Sequence, residues 1–320
     1  MKKHHSFKAV LLGVILICPG SASAQSAAVI DDRGHTIVIR DSVKRVAAIS
    51  YFAADTMLAL GLHPVASTYL VKGRSPVFLQ NCMDGLQTLG QRAIPNLELL
   101  AQARPDLIVA MKRYSEANAG KLEKIAPYMA LNLENFTDSD HSILRLGQLL
   151  NQRKKAEQLN TNFHRDIQTL RELVAGQAAT SYLFLWGSGD APWAFYNENM
   201  VPAIINTIGG INVAGANPRP DTPDITAFEM SVEAMLSKNP EVIFIYDYEV
   251  KRRFENNPLW KKLRAVNNKR IIYVGDHWVD AHGPVARQAV LREATHALYP
   301  TIYPKQDVRN IAASMFSACH

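Results

Sequence analysis

Aromatic and cationic side chains fall just after the apolar, β-branched runs of this chain. Tyr51 follows Arg45–Ser50; Tyr69, Lys72 and Arg74 follow Pro64–Thr68; Lys112, Arg113 and Tyr114 follow Asp106–Met111. In the second half Trp186, Trp193 and Tyr196 cluster at and after Tyr182–Gly187, Tyr246 and Tyr248 close another run, and Trp278 follows Gly275. Arg92 stands just before a helix-like segment, Leu97–Ala103. Aromatic faces beside guanidinium groups suit a flat, partly apolar, anionic ligand, held by packing and charge-assisted hydrogen bonds. The candidate ligand-binding residues are therefore Arg92, Trp278, Tyr51, Tyr69, Arg113, Tyr114, Trp186, Trp193, Tyr196 and Tyr248. The plainer alternative is that half of them fill the core or face solvent.

Catalytic patterns are missing from the same stretches. There is no G-x-x-x-x-G-K-[ST] to cradle phosphate, Gly187-Ser188-Gly189 is not the start of a nucleophile elbow, and its G-x-G-x-x-G fails at Pro192. No H-E-x-x-H or paired C-x-x-C occurs, and His277 with His282 does not make a metal cage. We assign no catalytic residue and no metal ligand. A constellation assembled from distant residues would make the chain an exported α/β enzyme instead.

Elements that position these residues follow from periodicity. Strands are expected at Arg45–Ser50, Pro64–Thr68, Asp106–Met111, Tyr128–Leu133, Tyr182–Gly187, Glu241–Asp247 and Arg270–Gly275. Between them lie helix-period segments at Ala53–Leu60, Leu97–Ala103, Met200–Ile208, Val232–Ser237, Pro258–Val266 and Pro284–Leu298. Such alternation predicts α/β layers with largely parallel sheets, because parallel neighbours need a crossover. Ahead of them, Ala28–Arg40 reads as a hairpin turning at Asp32-Arg33-Gly34.

A repeat divides the chain. Asn96-Leu97-Glu98 is followed, seven residues beyond the Glu, by Pro105-Asp106 and the run Leu107–Ala110; Ser231-Val232-Glu233 is followed at the same spacing by Pro240-Glu241 and Val242–Ile245. In each copy an Asn or Ser caps a helix, a Glu sits in its positive first turn, and a Pro closes it. Gly61 with Val65-Ala66 and Gly209 with Val213-Ala214 echo one another upstream. Two related α/β lobes result, residues 25–139 and 178–300, joined by a long helix over 140–177 with one break near Asn151–Lys155 and leaving a ligand cleft between them. Residues 301–320 form a tail without a strong pattern.

Lys2, Lys3 and Lys8, the apolar run Ala9–Cys18 and Ala22-Ser23-Ala24 describe a secretory signal peptide over 1–24, too short in its apolar part to span a bilayer. Bulky Ile17 before Cys18 is unlike the small residue of a lipoprotein signal. Formal charge is +6, and losing those three lysines leaves +3, too weak and scattered for nucleic acid. Cys82 and Cys319 remain, an even number that permits a disulfide in an oxidising compartment.

These features together resemble one family: the periplasmic substrate-binding proteins of ABC importers for iron–siderophore, haem and cobalamin, the helix-bridged two-lobed class. The resemblance runs from about Asp31 to Pro300. It rests on Asp32-Arg33-Gly34-His35-Thr36-Ile37, Arg45-Val46-Ala47, Ala59-Leu60-Gly61-Leu62, Leu89-Gly90-Gln91-Arg92, Pro95-Asn96-Leu97-Glu98, Arg104-Pro105-Asp106-Leu107-Ile108, Pro258-Leu259-Trp260, Asp276-His277-Trp278 and His282-Gly283-Pro284. It implies a monomeric periplasmic receptor that captures a ferric siderophore and delivers it to an inner-membrane ABC permease, with no enzymatic activity and no cofactor of its own. Haem or cobalamin would be the alternative cargo. It also implies that Glu98 and Glu233 dock onto permease arginines, that Arg92 binds the anionic chelate, and that Trp278 packs on its apolar rim. Trp186, Trp193, Tyr196 and Arg219 match no definite siderophore type, so hydroxamate, catecholate and carboxylate chelates stay open.

Overall fold

The computed structural model describes residues 27–40, 42–222, 226–248 and 250–316. The expected hairpin is formed by β1 (Ala27–Ile30) and β2 (Thr36–Ile39), paired antiparallel, with Gly34 at φ 80° in the turn. The turn residues also anchor the hairpin. Asp31 accepts the Ala130 N–H, Arg33 donates to the Tyr128 carbonyl, and Arg145 grips the Asp32 carboxylate with two N–H groups at 2.8 Å.

The first lobe continues through β3 (Val46–Ile49), α1 (Tyr51–Ala59), β4 (Ala66–Tyr69), β5 (Gln87–Gln91), α2 (Leu97–Gln102), β6 (Leu107–Met111), α3 (Lys112–Ser115), α4 (Ala119–Leu122) and β7 (Tyr128–Leu131). Its strands form a parallel sheet in the order β5-β4-β3-β6-β7. Alternate residues face opposite ways: Val46 and Ala48 enter one apolar layer, Ala47 and Ile49 the other. With both faces covered, β3, β6 and β7 are buried throughout, which is why they read as unbroken apolar runs.

Two helices follow, α5 (Phe136–Leu149) and α6 (Arg153–Leu173). The single helix expected over 140–177 is therefore corrected. The chain reverses at 150–152, where Asn151 takes φ 57°, and α6 runs back along α5: Phe163 stacks on Phe136, and Asn160 donates to the Asp140 carbonyl. Gly147 permits this approach, since a Cβ there would lie 2.5 Å from the Ala156 methyl. Helix α6 carries the chain from the first lobe to the second, with Ala156 in the first lobe's core and Phe163 and Leu170 in the second's.

The second lobe holds β8 (Thr180–Trp186), β9 (Trp193–Phe195), α7 (Met200–Thr207), β10 (Gly210–Asn212), β11 (Ala227–Glu229), α8 (Val232–Lys238), β12 (Val242–Tyr246), α9 (Arg264–Asn267), β13 (Ile271–Val274) and α10 (Pro284–Leu298). Its six-stranded sheet has the order β11-β9-β8-β12-β13, with β10 beside β8; β9 and β11 are the antiparallel additions. Strands β5, β9, β10 and β11 were not foreseen: β5 is a largely exposed polar edge, and three-residue strands are too short to show alternation. The helix expected at Pro258–Val266 shrinks to a 3-10 turn, Trp260–Lys262, and the single turn of α9. The tail, read as patternless, forms α11 (Val308–Met315), which returns Ala312 and Phe316 to the first lobe's core. Among the described residues no helix is long and apolar enough to cross a membrane.

The lobes exchange helix caps. Asp55 of α1 accepts the Val285 and Ala286 N–H groups of α10, both at 2.9 Å, while Asp280, just before α10, accepts the Tyr51 N–H of α1 at 3.0 Å. Gly283 is obligatory at this crossing, because a Cβ would sit 2.2 Å from an Asp55 oxygen. Burial pushes the Asp55 carboxyl up to about 7, with the two N–H donors pulling the other way. Asp55→Ala should lower unfolding free energy by about 2–4 kcal/mol, since it strands two buried N–H groups. The folded state takes up a proton at Asp55 between 3.8 and about 7 that the unfolded chain does not, so the residue's contribution is largest at low pH and declines as pH rises through that window. Urea unfolding of wild type and variant at pH values of about 5 and about 8 should show their difference narrowing at the higher pH.

Candidate functional site

Strands of both sheets end at the gap between the lobes, as expected for open α/β sheets. The gap contains a cavity of about 770 Å³, lined by Arg113 and Tyr114 from the first lobe and by Trp186, Ser188, Gly189, Trp193, Phe195, Thr226, Glu229 and Tyr248 from the second. A smaller chamber of about 200 Å³ adjoins it, lined by Tyr69, Leu70, Gln91, Arg92, Tyr246 and Val279, and shares Tyr114, Trp186 and Tyr248 with the first. A separate hollow of about 410 Å³ between the end of α1 and α11 is lined by residues such as Gly61, His63 and Lys155 and has no aromatic panel beyond Phe316.

The second lobe supplies an aromatic wall. Tyr246 and Tyr248 stack at 5.4 Å, and the Trp186 indole meets them edge-on at 5.7 and 6.4 Å. Trp193 and Phe195 lie two residues apart on β9 and so present the same face. Trp193 is 47 % exposed although it belongs to a short antiparallel strand. Such a solvent-facing indole is unusual in a core and ordinary in a recognition surface.

Cations come from the first lobe. The Arg92 guanidinium lies 5.0 Å from the Tyr114 ring centre and that of Arg113 lies 5.8 Å from the same ring. Arg92 pairs with Asp280 at 3.3 Å, and Arg113 with Glu134 at 3.0 Å. Burial pushes the Asp280 carboxyl upward and the charge of Arg92 draws it back. Arg74 crosses the gap to donate to the Asp247 carbonyl at 2.9 Å, to the Tyr246 hydroxyl at 3.1 Å, and to Asp276. Burial and the Asp276 carboxylate keep the Tyr246 phenol protonated, and it donates to Asp276 at 2.7 Å.

Seven of the ten candidate residues line the gap: Arg92, Tyr69, Arg113, Tyr114, Trp186, Trp193 and Tyr248. Three do not. Trp278 is 1 % exposed, stacks on Phe244 at 4.6 Å and donates its indole N–H to Glu293; the 3-10 turn Asp276–Trp278 folds it onto the sheet. Tyr51 is the first residue of α1, buried edge-on against Phe78, with its hydroxyl accepting the Leu70 N–H. Tyr196 stacks on Phe228 at 4.8 Å, one residue past the end of β9 and therefore on its other face. Sequence reasoning missed Phe195, which period-two alternation from Trp193 could have found. Glu229 and Thr226 on the β11 segment carried no comparable signal.

Among the described residues, neither chamber is lined by a histidine. Within the interface, burial and the charges of Arg92, Arg287 and Arg113 push His282 down to about 3, so it stays neutral. His277 pairs with Glu293. Among the described residues no group of three His, Cys, Asp or Glu side chains could hold a metal ion. Cys82 is disulfide-bonded; Cys319, the other cysteine of the disulfide the sequence permits, lies outside the described residues, as does the expected signal segment 1–24.

Glu98 and Glu233 occupy matching places. Each sits exposed in the first turn of its helix, α2 behind the Asn96 cap and α8 behind the Ser231 cap, and each helix leads into a central strand, β6 or β12. Hydrogen bonds from its own backbone N–H and from Ser231 and Asn257 hold the Glu233 carboxyl below its usual range.

Known proteins share this arrangement. Residues 46–277 match the family described as periplasmic binding protein, a span reaching from β3 to the turn after β13. A putative ABC transporter substrate-binding lipoprotein of Bacillus subtilis, YhfQ, is 28% identical over 86% of this chain and 91% of its own length. The Fe(3+) dicitrate-binding periplasmic protein FecB of Escherichia coli is 23% identical over 82% of this chain and 88% of its own. Among solved structures, the siderophore-binding protein BauB, bound to acinetobactin and ferric iron, superposes with a TM-score of 0.71 at 22% identity, covering 86% of this chain and 99% of that one. With its paired sheets, crossing helix and matched span, the chain belongs to the periplasmic binding protein family.

Proposed function

We propose that the protein is an exported receptor that captures a ferric siderophore between its lobes and delivers it to an inner-membrane ABC permease. The observation carrying this reading is the gap itself. One wall is aromatic, the other bears two guanidinium groups around a tyrosine, and the walls come from different lobes. A chelate arrives with its iron already wrapped, so recognition needs flat contact area and a few N–H donors rather than metal ligands. Relatives named for siderophore, ferric citrate and hydroxamate binding support it. One relative is named for haem uptake, which makes haem the alternative cargo of the same gap.

Delivery would use the two lobe tips. Glu98 and Glu233 are exposed carboxylates related by the lobe repeat, suited to a permease with a matching pair of cations; such pairs orient a complex more than they tighten it. In this reading the receptor acts as a monomer, holds no cofactor of its own, and releases its cargo chemically unchanged.

Titration of the mature protein with a panel of ferric chelates should quench tryptophan fluorescence, because Trp186 and Trp193 line the gap. No quenching by any ferric chelate, with haem or a corrinoid binding instead, would falsify the siderophore assignment. Trp193→Ala should weaken chelate binding roughly tenfold, a loss of about 1.4 kcal/mol, while the melting temperature stays near wild type. Replacing Glu98 and Glu233 together by Arg should leave chelate affinity intact and abolish iron uptake in cells; uptake at the wild-type rate would remove the docking role.

A further inference from the structure

The charges lining the gap narrow the cargo further, an inference that rests on the siderophore reading above. We propose that the preferred chelate carries little or no net negative charge and presents apolar faces, as ferric trihydroxamates do, rather than being a polyanionic carboxylate or catecholate complex.

Each guanidinium lining the gap already has a carboxylate. Arg92 meets Asp280, whose side chain is wholly buried, and Arg113 meets Glu134, whose side chain is 9% exposed. Neither acid can turn out to water to release its partner, and removing the arginine's attention would leave a buried charge uncompensated, which is costly. Arg74 is engaged with Asp276, the Tyr246 hydroxyl and the Asp247 carbonyl. Meanwhile Glu229 lines the larger cavity, exposed, with no cation within ion-pair distance among the described residues.

These groups leave the lining near neutral or slightly negative. A triply anionic guest would enter a partly desolvated gap without counter-charges, close to Glu229, and lose more hydration than it regains. An uncharged chelate suffers neither loss. The aromatic wall of Trp186, Trp193, Phe195 and Tyr248 can cover its carbon surface. Arg92, paired through one nitrogen, retains N–H groups for the partial negative charge on chelate oxygens.

The test is a fluorescence titration of the mature wild-type protein with three probes: a ferric trihydroxamate, a ferric triscatecholate and ferric dicitrate, each at about 20 and about 500 mM sodium chloride. The trihydroxamate should bind at least about tenfold more tightly than either anion, with an affinity that changes less than about threefold with salt. Tighter binding of an anionic chelate, weakening steeply with salt, overturns this inference while leaving the siderophore reading in place. Failure of all three, with haem or corrinoid bound, overturns the siderophore reading itself. Glu229→Gln should shift the ratio of affinities several-fold toward the anionic chelates; an unmoved ratio overturns the part assigned to Glu229.

Discussion

The geometry of the gap depends on two buried carboxylates traded between lobes. Asp55 satisfies the first N–H groups of α10, and Asp280 satisfies the first N–H of α1. Each helix thus begins on an acceptor supplied by the opposite lobe or its adjoining loop, and neither start can be withdrawn without exposing donors that have no other partner. Nearby, the fully buried Arg287 on α10 binds Asp140, Ser139 and Asn160 from the helical pair α5 and α6, and Ser139 donates to the His282 carbonyl. The polar seam therefore includes both lobes and the crossing helix.

That seam also sets the binding chemistry. Asp280 is at once an acceptor for α1 and the counter-ion of Arg92, so the residue that registers the lobes also holds a guanidinium at the gap. Arg74 plays a related part from the other side, reaching from the first lobe to the ends of β12 and β13. Arginines at this boundary serve structure first, and only what remains of their donor capacity faces a guest. A count of cations in the sequence overstates the positive charge available to a ligand for that reason.

The gap and the two exposed Glu lie toward the same side of each sheet. The gap lies at the carboxyl ends of the parallel strands, where β4, β6, β8 and β12 leave their last side chains. Glu98 and Glu233 sit at the start of helices that run back to the amino ends of β6 and β12, so they too lie toward the carboxyl-end side, six residues past Arg92 and four past Glu229.

Much of this was legible beforehand because it depends on local chemistry. Parallel strands covered on both faces are apolar runs, short polar side chains such as Asn96 and Ser231 cap helices, and the repeated Glu-to-Pro spacing marks a repeated unit; β3, β6, β8 and β12 and the starts of α2 and α8 follow from those facts. Position after a strand likewise brought Arg92, Arg113, Tyr114, Trp186 and Trp193 to the right end of the sheets. Tertiary structure alone decided the rest. Whether Trp278 turned inward depended on Phe244 and Glu293, and whether Asn151 reversed the chain depended on Gly147 meeting Ala156. Whether the cationic side chains carried free charge depended on Asp280 and Glu134, far away in sequence. Side-chain direction and charge pairing are set by neighbours that only folding brings within a few ångströms, and periodicity along the chain carries no record of them.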